Sequence, residues 1–175
     1  MLGLYPPAVP STLSGLPEGL DATRVTLRAM VRYSRTAQTE VPIITLAREI
    51  LAQSVPHSGT SKNYAAQLRA LQNWVRDRIR YVRDPVGAEM VQTPERTLSV
   101  RAGDCDDKSV LLAALLMSCG FPCRFIAVGF KGGPPSHVFV ESRVGTRWIP
   151  CETIVAGKEP GWYPENTTGR MEVHI

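Results

Sequence analysis

Histidine, cysteine and long apolar runs are all scarce in this chain, and each scarcity removes a class of function. Its 175 residues include three histidines and four cysteines. Cys119 and Cys123 are spaced like half a zinc site, but no second Cys or His pair completes one, so no metal is expected. A phosphate-cradling Gly-rich loop is missing as well, and with it the expectation of a nucleotide cofactor. The longest apolar run, Val110 to Met117, is far too short to cross a bilayer. The opening "MLGLYPPAVP" lacks the positive start of a secretory leader, and its prolines interrupt any apolar core. The expectation is a cytoplasmic protein with reduced, unpaired thiols and no membrane contact. The net charge of +4 is mild and the basic residues are scattered, which describes a solvated surface rather than a nucleic-acid footprint.

What is present is an ordinary globular composition, 43% hydrophobic and 21% charged, in a chain long enough for one domain with a real core. Residues 1–20, rich in Pro, Gly, Ser and Leu, read as an extended arm, and residues 21–175 as a single domain. Asp21 is placed to cap a helix. Residues 23–33 alternate like a strand and also carry Leu27, Met30 and Val31 at helical spacing; a helix is the expectation. Ile43, Leu46, Ala47, Ile50 and Leu51 share a helical face, with Pro42 tolerable in the first turn. After a polar loop containing His57, the apolar positions Tyr64, Leu68, Leu71, Val75, Ile79 and Val82 predict a longer helix that stops at Asp84-Pro85. Residues 85–103 read as irregular.

The next segment, "GDCDDKSVLLAALLMSCGFP", predicts a helix from Cys105 to a C-terminal stop at Gly120. Beyond it the period changes from helical to alternating. "CRFIAVGF", "HVFVESRV" and "RWIPCETI" read as strands, the first two joined by "KGGPPS" and the last two by "GT". The C-terminal segment reads as loop followed by an edge strand. Helices first and strands later make an α+β chain with one antiparallel sheet.

A cysteine inside "GDCDD" is an odd place for a packing thiol. Asp104 is a good N-cap and Asp107 sits where a reciprocal cap acceptor belongs. Cys105 is then the first helical residue, where unpaired N–H groups and the helix dipole favour an anion. A thiolate, or an oxyanion formed beside it, is stabilised there. Two facts oppose this: the neighbouring aspartates raise a thiol's pKa, and buried cysteines are commonly inert. The thiol needs a base. His57 lies in a polar loop and His174 at the fraying C-terminus, so His137, opening a strand, is the candidate. If residues 145 and 146 form the turn, facing residues on the next two strands have numbers summing to 291. Glu152 is then a diagonal neighbour of His137 on the same face, placed to hold the imidazole. Gln92 is either a side-chain donor to an oxyanion or, more simply, a solvent-facing glutamine. Trp162 and Tyr163 either border a groove or cover the core edge.

These residues resemble the core of the transglutaminase-like superfamily: "GDCDDKSVLLAALLMSCGFPCRFIAVGF", then "SHVFVES", then "RWIPCETI", with upstream likeness through "LQNWVRDRIRYVRDP" and "TPERTLSVRAGDC". The likeness covers roughly residues 64–155. It implies a papain-like fold in which the cysteine helix packs on an antiparallel sheet. It also implies Cys105 as nucleophile, His137 as base and Glu152 as orienting acid. The family pattern has Asp at the last position, so Glu152 is a departure that keeps the charge on a longer arm. The implied chemistry is acyl transfer or hydrolysis on a protein carboxamide or peptide bond. The alternative is a fold kept as a non-catalytic structural or interaction module. The N-terminal lead-in is similar to that of small members encoded by tailed phages and prophages, which implies phage structural proteins as partners and the virion as a second location.

Overall fold

The computed structural model describes residues 11–13, 19–54, 63–85 and 89–175; His57 and most of the N-terminal arm lie outside them. The chain is α+β. Helices α1 (Leu20–Ala37), α2 (Val41–Ser54) and α3 (Tyr64–Arg78) surround a central helix α5 (Cys105–Ser118), with the short α4 (Pro94–Val100) just before it. The second half of the chain is a four-stranded antiparallel sheet built from β5 (Cys123–Phe130), β6 (Pro135–Val144), β7 (Arg147–Cys151) and β8 (Thr167–His174), in the order β7-β6-β5-β8. Four short strands complete the described elements. β1 (Ser11–Leu13) pairs with β3 (Glu89–Val91), and β2 (Arg80–Tyr81) pairs in parallel with β4 (Ala102–Gly103).

α5 is the axis of the domain. Every residue from Asp106 to Leu116 is buried, because α1, α2, α3 and α4 pack around it and β6 closes the remaining side. An all-round apolar helix is stable only in such a place. Burying each of Leu111, Leu112, Leu115 and Leu116 is worth about 1.5–3 kcal/mol relative to exposure, so this helix cannot shift without losing most of the core. It ends as expected, with Gly120 at φ 85° just past its last turn.

Several expectations need correction. α1 begins one residue inside the presumed arm and is capped at Gly19 without a side-chain bond; Asp21 instead pairs with Arg24 in the first turn. α3 stops at Arg78, short of Val82, because Ile79 turns extended and Arg80–Tyr81 pair with Ala102–Gly103. The stretch read as irregular holds β3, α4 and β4; Thr93 caps α4 and Pro94 opens it, a start signal that was present in "QTPER". β6 begins at Pro135, so His137 is its third residue rather than its first, and β7 ends at Cys151, leaving Glu152 just beyond the ladder. His174 is not a frayed end: it pairs with Arg124 and lies edge-on to Trp148. The register between β6 and β7 is the expected one, with Val140 facing Cys151 and Val144 facing Arg147.

Candidate active site

The start of α5 is held by a complete capping box. The Asp104 side chain accepts from the N–H groups of Asp106 and Asp107, and the Asp107 side chain accepts from the N–H of Asp104. Gly103 is required here, since a Cβ would come within 2.5 Å of the Asp107 Cβ. Cys105 is therefore locked as the first helical residue, and the capping carboxylate leaves its own N–H untouched. Its sulfur lies against β6, where the Val138 N–H points at it; one turn further, the Ser109 hydroxyl donates to Val138 O. Burial pushes the thiol well above its ordinary value, and the charges of Asp106 and Asp104 push the same way. The thiol donates to Asp106 Oδ1 at 3.4 Å. The helix N-terminus alone does not ionise this thiol.

The candidate base, His137, is the neighbour of Val138. On β6 the register slips beside His137: Val128 faces His137 but Gly129 faces Pro135. A bulge of this kind re-aims a side chain. The His137 ring stacks on Phe139 at 5.9 Å and lies 6.4 Å from Phe130. Its Nε2 meets Glu152 Oε2 at 2.7 Å. A carboxylate can only accept, so Nε2 carries the hydrogen and Nδ1 keeps the lone pair that can take a proton. Glu152 is fully buried, and its other oxygen accepts from the Ile154 N–H at 2.7 Å. The longer side chain is thus accommodated by placing the acid one residue past β7 and tying it to the following turn.

Cys105, His137 and Glu152 line one cavity of about 1130 Å³. Trp162 is on its wall, whereas Tyr163 covers the opposite face of the sheet over Ile126, Val128 and Phe139. Gln92 is neither solvent-facing nor an oxyanion donor. Its backbone N–H and its side-chain amide both donate to the Asp107 carboxylate, and the amide also reaches Ala102 O. Asp104, Cys105 and Asp106 present possible metal-ligand atoms within 4.8 Å of one another. Those atoms already serve the helix cap and the thiol hydrogen bond. Sequence reasoning missed Lys108, the largest of the fully buried side chains; a lysine in "DDKSVLL" reads as solvated until the packing around α5 is known.

The other thiols occupy packing positions. Cys123 and Cys151 are buried on the sheet and Cys119 caps the end of α5; burial raises all three. Replacing Cys123 or Cys151 with Ser is expected to lower the melting temperature while leaving the rate of Cys105 alkylation within about twofold, because neither reaches the cavity. A collapse of that rate in a folded Cys151→Ser would overturn the assignment.

The cap also sets a pH dependence. Burial, then the Asp107 charge, push Asp104 up to about 7, and burial pushes Asp107 up to about 6. Both hold protons more tightly when folded than when unfolded, where aspartate titrates near 3.8. Their contribution to stability is complete below that value and is lost as pH rises through 6 and 7. The melting temperature is therefore expected to fall between pH 5 and pH 8. Asp104→Asn, which keeps a capping oxygen, should flatten that slope; an equal slope in the variant would show that other groups set it.

A search of the curated proteins finds no match to this chain. Among solved structures, a candidate protease from Parabacteroides distasonis shares 13% identity and a TM-score of 0.57, over 81% of this chain and 31% of its own. A candidate cysteine protease from Cytophaga hutchinsonii shares 22% identity at a TM-score of 0.47, over 65% of this chain. A protein named as a TGase shares 10% identity at a TM-score of 0.42, over 84% of this chain and 36% of its own. The chain spans 41% of the Cytophaga protein and 31% of the Parabacteroides protein, and the likeness to the latter concerns the fold alone. A family model matches residues 45–153, running from α2 through the helix that carries the thiol to the turn beyond Glu152, and with more than half of its length matched the chain belongs to the transglutaminase-like superfamily.

Proposed function

We propose that this protein is a cysteine enzyme that forms a thioester on Cys105 and passes the acyl group to an amine or to water. The observation that carries the reading is the 2.7 Å bond between His137 Nε2 and Glu152 Oε2 in the cavity that Cys105 also lines. In this reading His137 Nδ1 takes the thiol proton as sulfur attacks a carboxamide or peptide carbonyl. The imidazolium then returns that proton to the departing ammonia or amine. Amine or water attacks the thioester, and the thiol is restored. The Cys105 N–H faces the developing oxyanion at the first helical position. In this reading the substrate is a protein or peptide, for which an open cavity of about 1130 Å³ leaves room.

The rival reading, a fold retained as an interaction module, draws on the thiol held protonated by burial and by Asp106. The two separate in one assay. A glutamine-containing peptide and a fluorescent primary amine are incubated with the protein, following amine incorporation, ammonia release and peptide cleavage. An enzyme raises at least one of the three over Cys105→Ala. Equality on all three, with an acylated partner also absent by mass spectrometry after electrophile trapping, favours the module.

A further inference from the structure

The cavity around Cys105 has two unlike sides. Strand order puts β5 and β7 on opposite flanks of β6, the strand that carries His137. Towards β7 the lining is charged: Glu152, Lys158 and Glu165 stand there with Trp162, whose ring centre lies 4.7 Å from the Lys158 ammonium. Towards β5 the wall is α1, through Ala22, Thr23, Thr26, Leu27 and Met30, at the spacing of one helical face. Among the described residues, every group that α1, β5 and the loop from β5 to β6 contribute to the cavity is uncharged. Asp21, Arg24 and Arg28 are exposed on the other side of the helix. This uncharged lobe is next to the thiol. Ala127 pairs with Val138, and the Val138 N–H points at the Cys105 sulfur. Leu27, Met30 and Ala127 are at most 3% exposed and form the floor, whereas Ala22 and Thr23 are half-buried at the mouth. The Thr23 hydroxyl donates to Gly19 O at 3.4 Å, so it is engaged within α1.

We infer that this lobe is an acyl-donor subsite: it takes an uncharged aliphatic side chain of the substrate peptide beside the carbonyl that Cys105 attacks, and Ala22 and Thr23 set its width. The inference rests on the proposed function for the attack, but not for the binding. An aliphatic group gains by leaving water for such a wall, whereas a carboxylate or ammonium finds no counter-charge on it. α1 lies upstream of residues 45–153, the stretch that the family model matches. The wall is therefore outside the family likeness, and so is the preference it sets.

The test uses N-acetylated chloromethyl ketones of leucine, aspartate and lysine, in which the thiolate displaces chloride and the side chain stands on the acyl side. Rates are read by mass spectrometry of the Cys105 peptide and corrected for each probe's rate with free cysteine. Wild-type Cys105 is expected to react with the leucine probe at least about tenfold faster than with either charged one, the lower end of what one methylene is worth in an apolar pocket. Equal rates overturn the inference. Ala22→Glu puts a carboxylate at the mouth, in the first turn of α1, where a helix favours one. The leucine-to-lysine ratio should then fall by about tenfold. Ala22→Lys should instead lower the leucine-to-aspartate ratio. Unmoved ratios in the folded variants also overturn the inference, since α1 would not touch the side chain. Should neither variant fold, binding to Cys105→Ala decides. N-acetyl-leucine amide is expected to move the Met30 methyl resonance, and N-acetyl-lysine amide to leave it in place. An unmoved Met30, or a shift confined to the Trp162 indole on the charged side, rejects the subsite. If iodoacetamide labels wild-type Cys105 no faster than Cys119, the proposed function fails, while the Met30 shift still decides this inference.

Discussion

His137→Ala is expected to slow iodoacetamide labelling of Cys105 near neutral pH by about 10²- to 10⁴-fold, the usual worth of a positioned general base. The expectation is large because the acceptor that meets the sulfur, the Asp106 carboxylate, opposes the thiolate by its charge. Burial and the charges of Asp106 and Asp104 all disfavour the thiolate. The helix N-terminus opposes them with an effect of at most about 2 kcal/mol. Wild-type Cys105 should therefore outpace Cys119, Cys123 and Cys151, and the variant should not. Glu152→Gln should take an intermediate value, since an amide can still touch Nε2 but does not stabilise the imidazolium. Glu152→Asp should keep much of the rate: the charge remains, and one methylene is lost from a 2.7 Å contact that the Ile154 turn can partly restore. Labelling is read by mass spectrometry of the Cys105 peptide against time. Equal rates in wild type and His137→Ala would remove the base from the mechanism and leave the interaction module standing.

Leu112→Ala is expected to cost about 3–5 kcal/mol of stability, measured by denaturant unfolding. Leu112 lies mid-helix in α5 with no exposure. Deleting its side chain loses transfer energy and leaves a cavity that helices on several sides cannot all close. Against a total of about 5–15 kcal/mol for a domain, that is at least about a fifth of the margin. The control is Leu20→Ala at the exposed start of α1, 52% accessible, which should stay within about 0.5 kcal/mol. Well below its melting point, Leu112→Ala should still label Cys105 quickly. The capping box of Asp104 and Asp107 holds the thiol locally, two turns from the cavity created. A loss under 1 kcal/mol would mean that α5 is not the axis of the core.

The features legible from sequence were those set by neighbours in the chain. Asp104 and Asp107 lie three residues apart, so the cap that makes Cys105 the first helical residue is a local structure. The unbroken apolar run to Leu116 demanded burial wherever the helix went, and the two-residue turn at Gly145-Thr146 set the β6–β7 register without help from the rest of the fold. Tertiary structure decided what depends on residues far apart. α3 ends at Arg78 because its next residues pair with Ala102–Gly103, a strand that no local pattern announces. Gln92 turns inward because the Asp107 carboxylate needs donors. Glu152 reaches His137 from beyond the ladder, and β8 returns to lie on β5 rather than beside β7. Lys108 is buried because α3 ends over it. Propensity and period act within a few residues, whereas these positions are set by which surfaces and charges meet when distant segments close on one helix.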